Sequence, residues 1–197
     1  MKKLAALVFV FLFVFGMTAS AESVKYKEEV IIGLRQQVTT VDPQALANTV
    51  QNQVLKLWHA TLVDLNTVTN EIVPDLAESW NWLDEKTIEF KLFENAKFHN
   101  GEKVKASDVV FTFNRGKDGV ATKARVALFD TVEAVDENTV RITLKSPNVD
   151  LLDTLSLPLA SILSEKAFEA DPEIFLHLSD RHVLRRCIGD DRCCAVS

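Results

Sequence analysis

Two segments in which apolar and polar residues alternate constrain the fold of this chain more than any other feature. They span 79–98 and 132–144, and an acidic turn interrupts each of them. In the first segment the alternating apolar residues are Ile88, Phe90 and Leu92. Successive side chains of a strand point to opposite faces, so alternation predicts strands with one buried face. A turn between two such arms predicts a β-hairpin, and the sequence therefore predicts two hairpins.

Apolar residues at helical spacing predict helices between and after these hairpins. The first predicted helix covers 44–58 and follows the turn signal Asp42-Pro43; its apolar residues are Leu46, Val50, Val54 and Leu57. The second has an apolar face formed by Ala106, Val109, Val110 and Phe113, and Ser107 or Asp108 can serve its N-terminus. Shorter helices are predicted after Pro147-Asn148 and after Ser164.

The remaining segments complete a mixed α/β order. Residues 28–34 and 60–65 are predicted as strands, because β-branched and apolar residues are concentrated there. Residues 67–80 are predicted as a loop with a turn that begins at a proline. The order of strand, helix, strand, hairpins and helices is typical of an α/β domain and not of an all-β sandwich.

The first 21 residues have the pattern of a secretory signal peptide. Two lysines precede a 14-residue apolar run, Leu4–Met17, and small residues at 19 and 21 follow it. A membrane anchor is the alternative, but a spanning helix needs about 20 apolar residues. We therefore expect cleavage after Ala21 and export of the mature chain.

Composition limits the classes of function that remain. The net charge of −6 argues against nucleic acid as the main partner, because phosphate binding requires a basic surface. Exported proteins meet an oxidising compartment, yet the cysteines are confined to Cys187, Cys193 and Cys194. The body of the protein must therefore be stabilised by its apolar core; in the full chain 47% of the residues are hydrophobic.

Four motifs occur in an order that resembles a known family. They are Val-Asp-Pro-Gln at 41–44, Ile-Val-Pro-Asp-Leu-Ala-Glu-Ser-Trp-Asn-Trp at 72–82, the segment 87–115, and Val-Arg-Ile-Thr-Leu-Lys-Ser-Pro-Asn at 140–148. The chain resembles the N-terminal part of the extracytoplasmic solute-binding proteins of peptide-type ABC importers. The resemblance implies an α/β fold like that of type II periplasmic binding proteins, here an incomplete first lobe with a mixed sheet, hairpins and flanking helices.

The resemblance also implies a function without chemistry. Such proteins bind a peptide or another small solute between two lobes in the periplasm and deliver it to an ABC permease in the inner membrane. No catalytic residue, metal or cofactor is implied, and no nucleic acid. Peptides, nickel complexes and sugars remain open as ligands. Full-length family members are more than about twice as long as this chain. We therefore expect the chain to be a truncated family member.

The loop at 35–41 is the predicted ligand-binding segment. It leaves the carboxyl end of the first predicted strand, where open α/β sheets bind their ligands, and the family's corresponding loop lines the cleft. Its amide and hydroxyl side chains suit a peptide backbone; they are Gln36, Gln37, Thr39 and Thr40. The alternative is an ordinary polar loop.

The segment 98–115, which contains a His-Asn-Gly turn, is predicted to be scaffold. His99 has no acidic or cysteine partner at the spacing of metal ligands. Asn100-Gly101 is required for the turn, and Asp108 is expected to cap a helix. The resemblance implies the same, because this stretch forms part of the first lobe in the family.

The tail at 177–197 differs in amino-acid composition from residues 22–176, which form the predicted partial lobe. The tail has 4 Arg and 0 Lys, whereas 22–176 contain 4 Arg and 12 Lys. One interpretation is a metal-binding or redox tail of a small secreted hydrolase, built from His177, His182, Cys187, Cys193 and Cys194. The other is translation out of frame, which would make the chain the product of a disrupted gene.

Overall fold

The computed structural model describes Leu34, Val38, residues 40–45 and residues 48–172. In this part of the chain the strands are β1 (Val63–Asn66), β2 (Glu71–Pro74), β3 (Ala77–Trp82), β4 (Thr87–Leu92), β5 (Phe129–Ala134) and β6 (Thr139–Leu144). The helices are α1 (Thr49–Trp58), α2 (Ala106–Arg115), α3 (Lys123–Val126), α4 (Leu151–Leu155) and α5 (Glu165–Ala170), and a 3-10 turn covers Pro158–Ala160. The predicted first strand lies outside the described residues except for Leu34, and so does the segment 1–21.

The two predicted hairpins are confirmed, and they join into one four-stranded sheet. Its order is β3-β4-β6-β5, and each neighbouring pair is antiparallel. The central strands β4 and β6 come from different hairpins, with Phe90 opposite Val140 and Ile88 opposite Ile142. Strands β1 and β2 form a separate antiparallel pair. The described strands thus show antiparallel pairing, and the parallel component of a mixed sheet stays a prediction.

The alternation in β4 and β6 builds the core. Ile88, Phe90 and Leu92 are inaccessible to solvent on one face of β4. The neighbouring strand β6 buries its own alternate apolar residues on the same face. Helix α2 packs here, and the ring of its Phe113 meets Phe129 edge to face at 5.2 Å. Burial of these side chains is the dominant stabilising term.

The opposite face of the four-stranded sheet is polar. Glu89 in β4 lies opposite Arg141 in β6, and the Arg141 guanidinium donates to the Glu89 carboxylate at 2.6 Å and 2.9 Å. Both side chains are partly exposed, so this cross-strand pair stabilises the sheet only modestly. The sheet thus has one face in the core and one face in water.

Helix α1 begins later than predicted, and the prediction that it starts at 44 was wrong. Residues 43–45 form a turn, and the Asn48 side chain caps the helix by accepting the Gln51 amide at 2.8 Å. The apolar face also differs from the prediction. Leu55 is fully buried, whereas Leu57 is 60% exposed.

The prediction of a loop over 67–80 was also wrong. Strand β2 and most of β3 lie there, and β2 pairs with β1 from Val63–Pro74 to Asn66–Glu71. The reason is that β2 is neither alternating nor deeply buried, so its sequence lacks the period by which strands are identified. Strand β2 is defined by its backbone pairing with β1, and such pairing cannot be inferred from the sequence of one segment.

Of the later helices, α2 and α5 agree with the prediction, whereas α3 was not predicted. Helix α2 spans Ala106–Arg115, and Ser164 caps α5 by accepting the Ala167 amide at 3.2 Å. Helix α4 begins at Leu151, four residues after the predicted Pro147. None of the helices in the described residues has the length and apolarity that crossing a membrane requires.

Candidate functional site

The predicted ligand-binding loop is described only at Val38 and at its end, Thr40 and Val41. Gln36, Gln37 and Thr39 lie outside the described residues, and their role stays a prediction. Thr40 is 7% exposed, and its hydroxyl accepts the backbone amide of Asp42 at 3.0 Å. The structure therefore describes the segment that follows the loop, residues 40–45, which we call the anchor.

A tight polar turn forms this anchor. The Asp42 carboxylate accepts the Gln44 amide at 2.9 Å, which closes an Asx turn around Pro43. Val41, Asp42 and Gln44 are each at most 3% exposed. Buried polar groups need partners, so the neighbouring elements must supply hydrogen bonds to this turn.

Arg115, the last residue of α2, supplies the charge partner. Its Nη2 lies 2.6 Å from Asp42 Oδ2, and its Nη1 lies 3.1 Å from Asp42 Oδ1 and 2.8 Å from Gln44 Oε1. This is a two-pronged contact between a planar guanidinium and a carboxylate, the strongest geometry for such a pair. The Asp42 side chain is 4% exposed and that of Arg115 is 23% exposed, so the pair is mostly shielded from water.

Side-chain amides complete the attachment of the turn. Gln44 Nε2 donates to the Thr112 carbonyl at 2.8 Å, and Gln51 Nε2 donates to the Asp42 carbonyl at 3.2 Å. The turn is thereby tied to α2 on one side and to α1 on the other. We refer to Asp42, Gln44, Gln51 and Arg115 as the Asp42–Arg115 cluster.

The loop after α2 approaches the same turn closely. The Ala121 amide donates to the Gln44 carbonyl at 3.1 Å. A Cβ atom at Gly119 would overlap Thr122 Oγ1 and would lie 3.1 Å from the Gln44 carbonyl oxygen. Position 119 therefore requires glycine, because there is no space for a Cβ atom between Thr122 and Gln44.

An aromatic residue of α5 covers the guanidinium of the cluster. The Phe168 ring centroid lies 4.9 Å from Arg115 Cζ, and Phe168 also packs on Phe111 at 5.4 Å. A guanidinium over a ring face is attracted by the ring quadrupole. The cluster thus connects the anchor of the loop with three helices.

His59, just after α1, holds the other side of the anchor. Its Nε2 lies 3.1 Å from the Val41 carbonyl, which can only accept, so His59 is the donor. Burial lowers the pKa of His59 from 6.5 to about 4, although the Val41 carbonyl and the Asp42 charge oppose the shift. His59 is therefore neutral at pH 7 and acts as a fixed hydrogen-bond donor.

A small polar recess adjoins His59. It is lined by Lys56, Thr61, Asp64, Asp75, Pro158 and Ser161 together with His59, and its volume is about 10 Å³. Lys56 forms an ion pair with Asp64, and Asp75 Oδ2 accepts the Thr61 amide at 2.9 Å. The recess has space for about one water molecule and is too small for a peptide.

A second depression lies on the surface of α1. Thr49, Asn52, Gln53, Lys56 and Leu57 line about 450 Å³ that opens to solvent. Its size is in the range of ligand pockets, but such pockets enclose most of their ligand. Leu57 is exposed here, although its helical spacing predicted that it would lie in the core.

Within the segment 98–115, Asp108 accepts two backbone hydrogen bonds. Asp108 Oδ2 accepts the Lys105 amide at 2.9 Å, and its Oδ1 accepts the Glu165 amide at 3.0 Å. Burial raises the pKa of Asp108, and these two amides oppose the shift. The described residues contain no group of three or more His, Cys, Asp or Glu side chains that could hold a metal ion. The tail residues, including Cys187, Cys193 and Cys194, lie outside this part of the chain.

Comparison with known proteins decides the family. Residues 71–176 match the family model described as bacterial extracellular solute-binding proteins, family 5, middle part. The chain belongs to this family. The match covers the four-stranded sheet and helices α2 to α5, which confirms the resemblance seen in the sequence.

Relatives in this family are much longer than the matched segment. The chain is 32% identical to the dipeptide-binding protein of Escherichia coli K12 over 130 residues, which is 55% of this chain and 24% of that protein. It is 30% identical to the glutathione-binding protein GsiB of the same strain over 146 residues, 72% of this chain and 28% of that protein. The chain thus spans about a quarter of the length of these relatives.

Solved structures agree on the fold. The binding protein MoaA of A. tumefaciens R10, solved with mannopinic acid, superposes with a TM-score of 0.63 at 31% identity, covering 70% of this chain and 30% of that chain. The substrate-binding domain of an oligopeptide ABC transporter from Bacillus anthracis gives a TM-score of 0.65 at 24% identity, covering 77% and 36%. The predicted class, an α/β fold like that of type II periplasmic binding proteins, is confirmed.

Proposed function

We propose that this chain is part of the solute-binding component of an ABC importer, which binds peptides in the periplasm and delivers them to a permease in the inner membrane. The observation that carries the proposal is the family match over residues 71–176. The names of the relatives that bind dipeptides and glutathione favour a peptide ligand. The same proposal includes export of the chain with cleavage of segment 1–21. It includes no catalysed reaction.

The Asp42–Arg115 cluster supports a ligand-binding role for the adjoining loop. Association costs less free energy when the binding segment is ordered beforehand. The cluster fixes residues 40–45 against α1 and α2, so the loop at 35–41 departs from a rigid anchor. We propose that Gln36, Gln37 and Thr39 bind the peptide backbone, with Thr40 at the junction to the anchor.

A chimera tests this function directly. The segment of the Escherichia coli dipeptide-binding protein that matches this chain would be replaced by residues 28–176. We expect the chimera to bind dipeptides, measured by calorimetry, within about tenfold of the parent affinity. Replacing Gln36 and Gln37 by Ala should weaken binding by about tenfold, the effect of losing one or two hydrogen bonds. A folded chimera that binds no dipeptide would contradict the proposal.

The chain by itself is expected to bind weakly. Solutes of two-lobed binding proteins are enclosed by a hinge motion of both lobes, and the chain matches about a quarter of its relatives' length. Calorimetric titration with dipeptides and with glutathione should therefore give no saturation at micromolar concentration. A micromolar dissociation constant for residues 22–197 would show that one lobe suffices.

We further propose that residues 177–197 are translated out of frame. The change from lysine to arginine and the clustering of cysteine support this proposal. Sequencing the encoding DNA from codon 165 onward tests it. A shifted frame that continues with a Gly-Thr-Gly-Pro-Tyr segment, as the family resemblance implies, would support it. If no frame continues in this way, the tail is genuine, and zinc content before and after its deletion becomes the relevant measurement.

A further inference from the structure

The turn at residues 98–102 has a geometry in which only glycine fits comfortably at one position. The Gly101 amide donates to the Phe98 carbonyl at 2.9 Å, and the Phe98 amide donates to the Glu102 carbonyl at 2.8 Å. Lys97 and Lys103 pair beyond them. This is a three-residue hairpin loop, a type I turn followed by a left-handed residue, and Gly101 has φ of +85°.

The same turn contains a reactive dipeptide. Asn100-Gly101 is the one Asn-Gly pair in the sequence, and both residues are exposed. Glycine has no Cβ, so its backbone nitrogen can closely approach the preceding side-chain amide. We propose that Asn100 is a site of spontaneous deamidation, and that the folded turn holds this reaction back.

The reaction needs only water as a co-reactant. The Gly101 backbone nitrogen attacks Asn100 Cγ, the new C–N bond forms, and the proton of that nitrogen leaves with Nδ2 as ammonia. The product is a cyclic imide. Water then adds to one of its two carbonyls and opens the ring, which yields either aspartate or isoaspartate at position 100. Solvent reaches the exposed turn, so the second step is not limited by access.

Three hydrogen bonds restrain the reacting atoms in the folded protein. The nucleophile is engaged, because the Gly101 amide donates to the Phe98 carbonyl. The electrophile is engaged at both ends: Asn100 Oδ1 accepts the Glu102 amide at 3.0 Å, and Asn100 Nδ2 donates to Glu102 Oε2 at 3.1 Å. These bonds hold the Asn100 side chain against residue 102 and keep the Gly101 amide paired with the Phe98 carbonyl. The turn must open before the imide can form.

Deamidation would change the contacts of Glu102. An aspartate at 100 would place a carboxylate oxygen where Nδ2 now donates to Glu102, and like charges would repel. The other oxygen of Glu102 pairs with Lys166 of α5. Both Lys166 and Asn100 lower the pKa of Glu102 in the native turn. The reaction would therefore weaken the support that links this turn to α5.

The test compares the full chain in native buffer and in urea during incubation at mildly alkaline pH. Trypsin releases residues 98–103 as one peptide, and mass spectrometry follows the conversion of its amide to an acid. We expect conversion in urea to exceed that in native buffer by about tenfold, because opening of an ordered turn is a minor population. Asn114, which precedes the bulky Arg115, should stay unmodified in both conditions.

A matched pair of variants locates the protection. Glu102→Ala removes the acceptor of Asn100 Nδ2, and deamidation of the native chain should accelerate severalfold. Lys166→Ala removes only the ion pair with α5, so the native rate should change less than twofold, by about the variation seen for exposed pairs. Equal rates in native buffer and urea for the unaltered chain would overturn the proposal, and so would faster modification of Asn114 than of Asn100.

Discussion

Arg115 and Asp42 are 73 positions apart in the chain, yet they form its most shielded ion pair among the described residues. Asp42 was expected only to mark a turn, and no role was predicted for Arg115. Nothing local distinguishes Arg115 from the other arginines, because its partner is chosen by the packing of α2 against the turn at 40–45. The anchor of the predicted loop is therefore a feature that the sequence alone could not reveal.

Replacing Arg115 by Ala should lower the free energy of unfolding by about 3 kcal/mol, because Asp42 would keep a buried and uncompensated charge. Arg141→Ala is the matched control, since its pair with Glu89 is more exposed and should be worth at most about 1 kcal/mol. Urea unfolding followed by circular dichroism measures both values. Equal losses in the two variants would mean that the Asp42–Arg115 pair gains nothing from its burial.

His59 should make stability depend on pH. Its pKa is about 4 in the folded chain and 6.5 as an ordinary value, so the unfolded chain takes up its proton first. The stabilising contribution is complete above pH 6.5 and is lost as the pH falls toward 4, by at most about 3 kcal/mol. Glutamine at 59 can still donate to the Val41 carbonyl but does not titrate.

The measurement is the difference in unfolding free energy between the native chain and His59→Gln from pH 7 to pH 4. This difference cancels the carboxylates, which titrate in both proteins. We expect it to shift in favour of the variant on acidification. A constant difference over the whole range would show that His59 protonates equally easily in the folded and unfolded chains.

Among the elements, those with a strong local period could be predicted, and those defined by distant pairing could not. The strands β4 and β6 and the helix α2 carry their own alternation or helical spacing, so their position was predicted correctly. Helix α1 was extended too far, because the Asn48 cap outweighs the apolar residues before it. Strand β2 was missed, because its stability comes from pairing with β1.

Asp108 serves two helices at once and should be sensitive to substitution. Asp108→Ala removes the acceptor of the Lys105 amide at the start of α2 and of the Glu165 amide at the start of α5. We expect a loss of about 2 kcal/mol in unfolding free energy, from two caps of about 1 kcal/mol each. Ser107→Ala is the control, since Ser107 is exposed and its replacement should change stability by less than about 0.5 kcal/mol.

Hydrogen exchange distinguishes this local role from a general loss of stability. In Asp108→Ala the amides of Lys105 and Glu165 should exchange faster, while those of β4 should keep their relative protection. Uniform acceleration over the described residues would contradict the double cap.

Within residues 48–172, the buried face of the sheet contrasts with exposed connections, three of which carry a highly exposed valine. Val68, Val120 and Val149 are 92%, 88% and 95% exposed, and each lies in a turn or loop between elements. The central strands β4 and β6 bury every second residue completely or nearly so. Susceptibility to proteases should follow this contrast, because cleavage requires a chain that can open locally.

Limited digestion with an elastase-type protease should therefore cut first near residues 68, 120 and 149. Fragments that contain 87–92 and 139–144 should persist and remain associated, which mass spectrometry under native conditions would detect. Cleavage within β4 or β6 at a rate comparable to that at the three loops would indicate that this part of the chain does not form a stable sheet.

The order of strands in the sheet also determines when each strand can find its partners during synthesis. Strand β4 can pair with β3 once both have been synthesised, but its other neighbour, β6, lies 52 residues further along at the Glu89–Arg141 pair. At a synthesis rate of about 5 to 20 residues per second, that edge of β4 waits for about 3 to 10 seconds. During this interval the first hairpin presents an open edge to any other unpaired strand. Mispairing at this edge is thus possible throughout the interval before β6 has been synthesised.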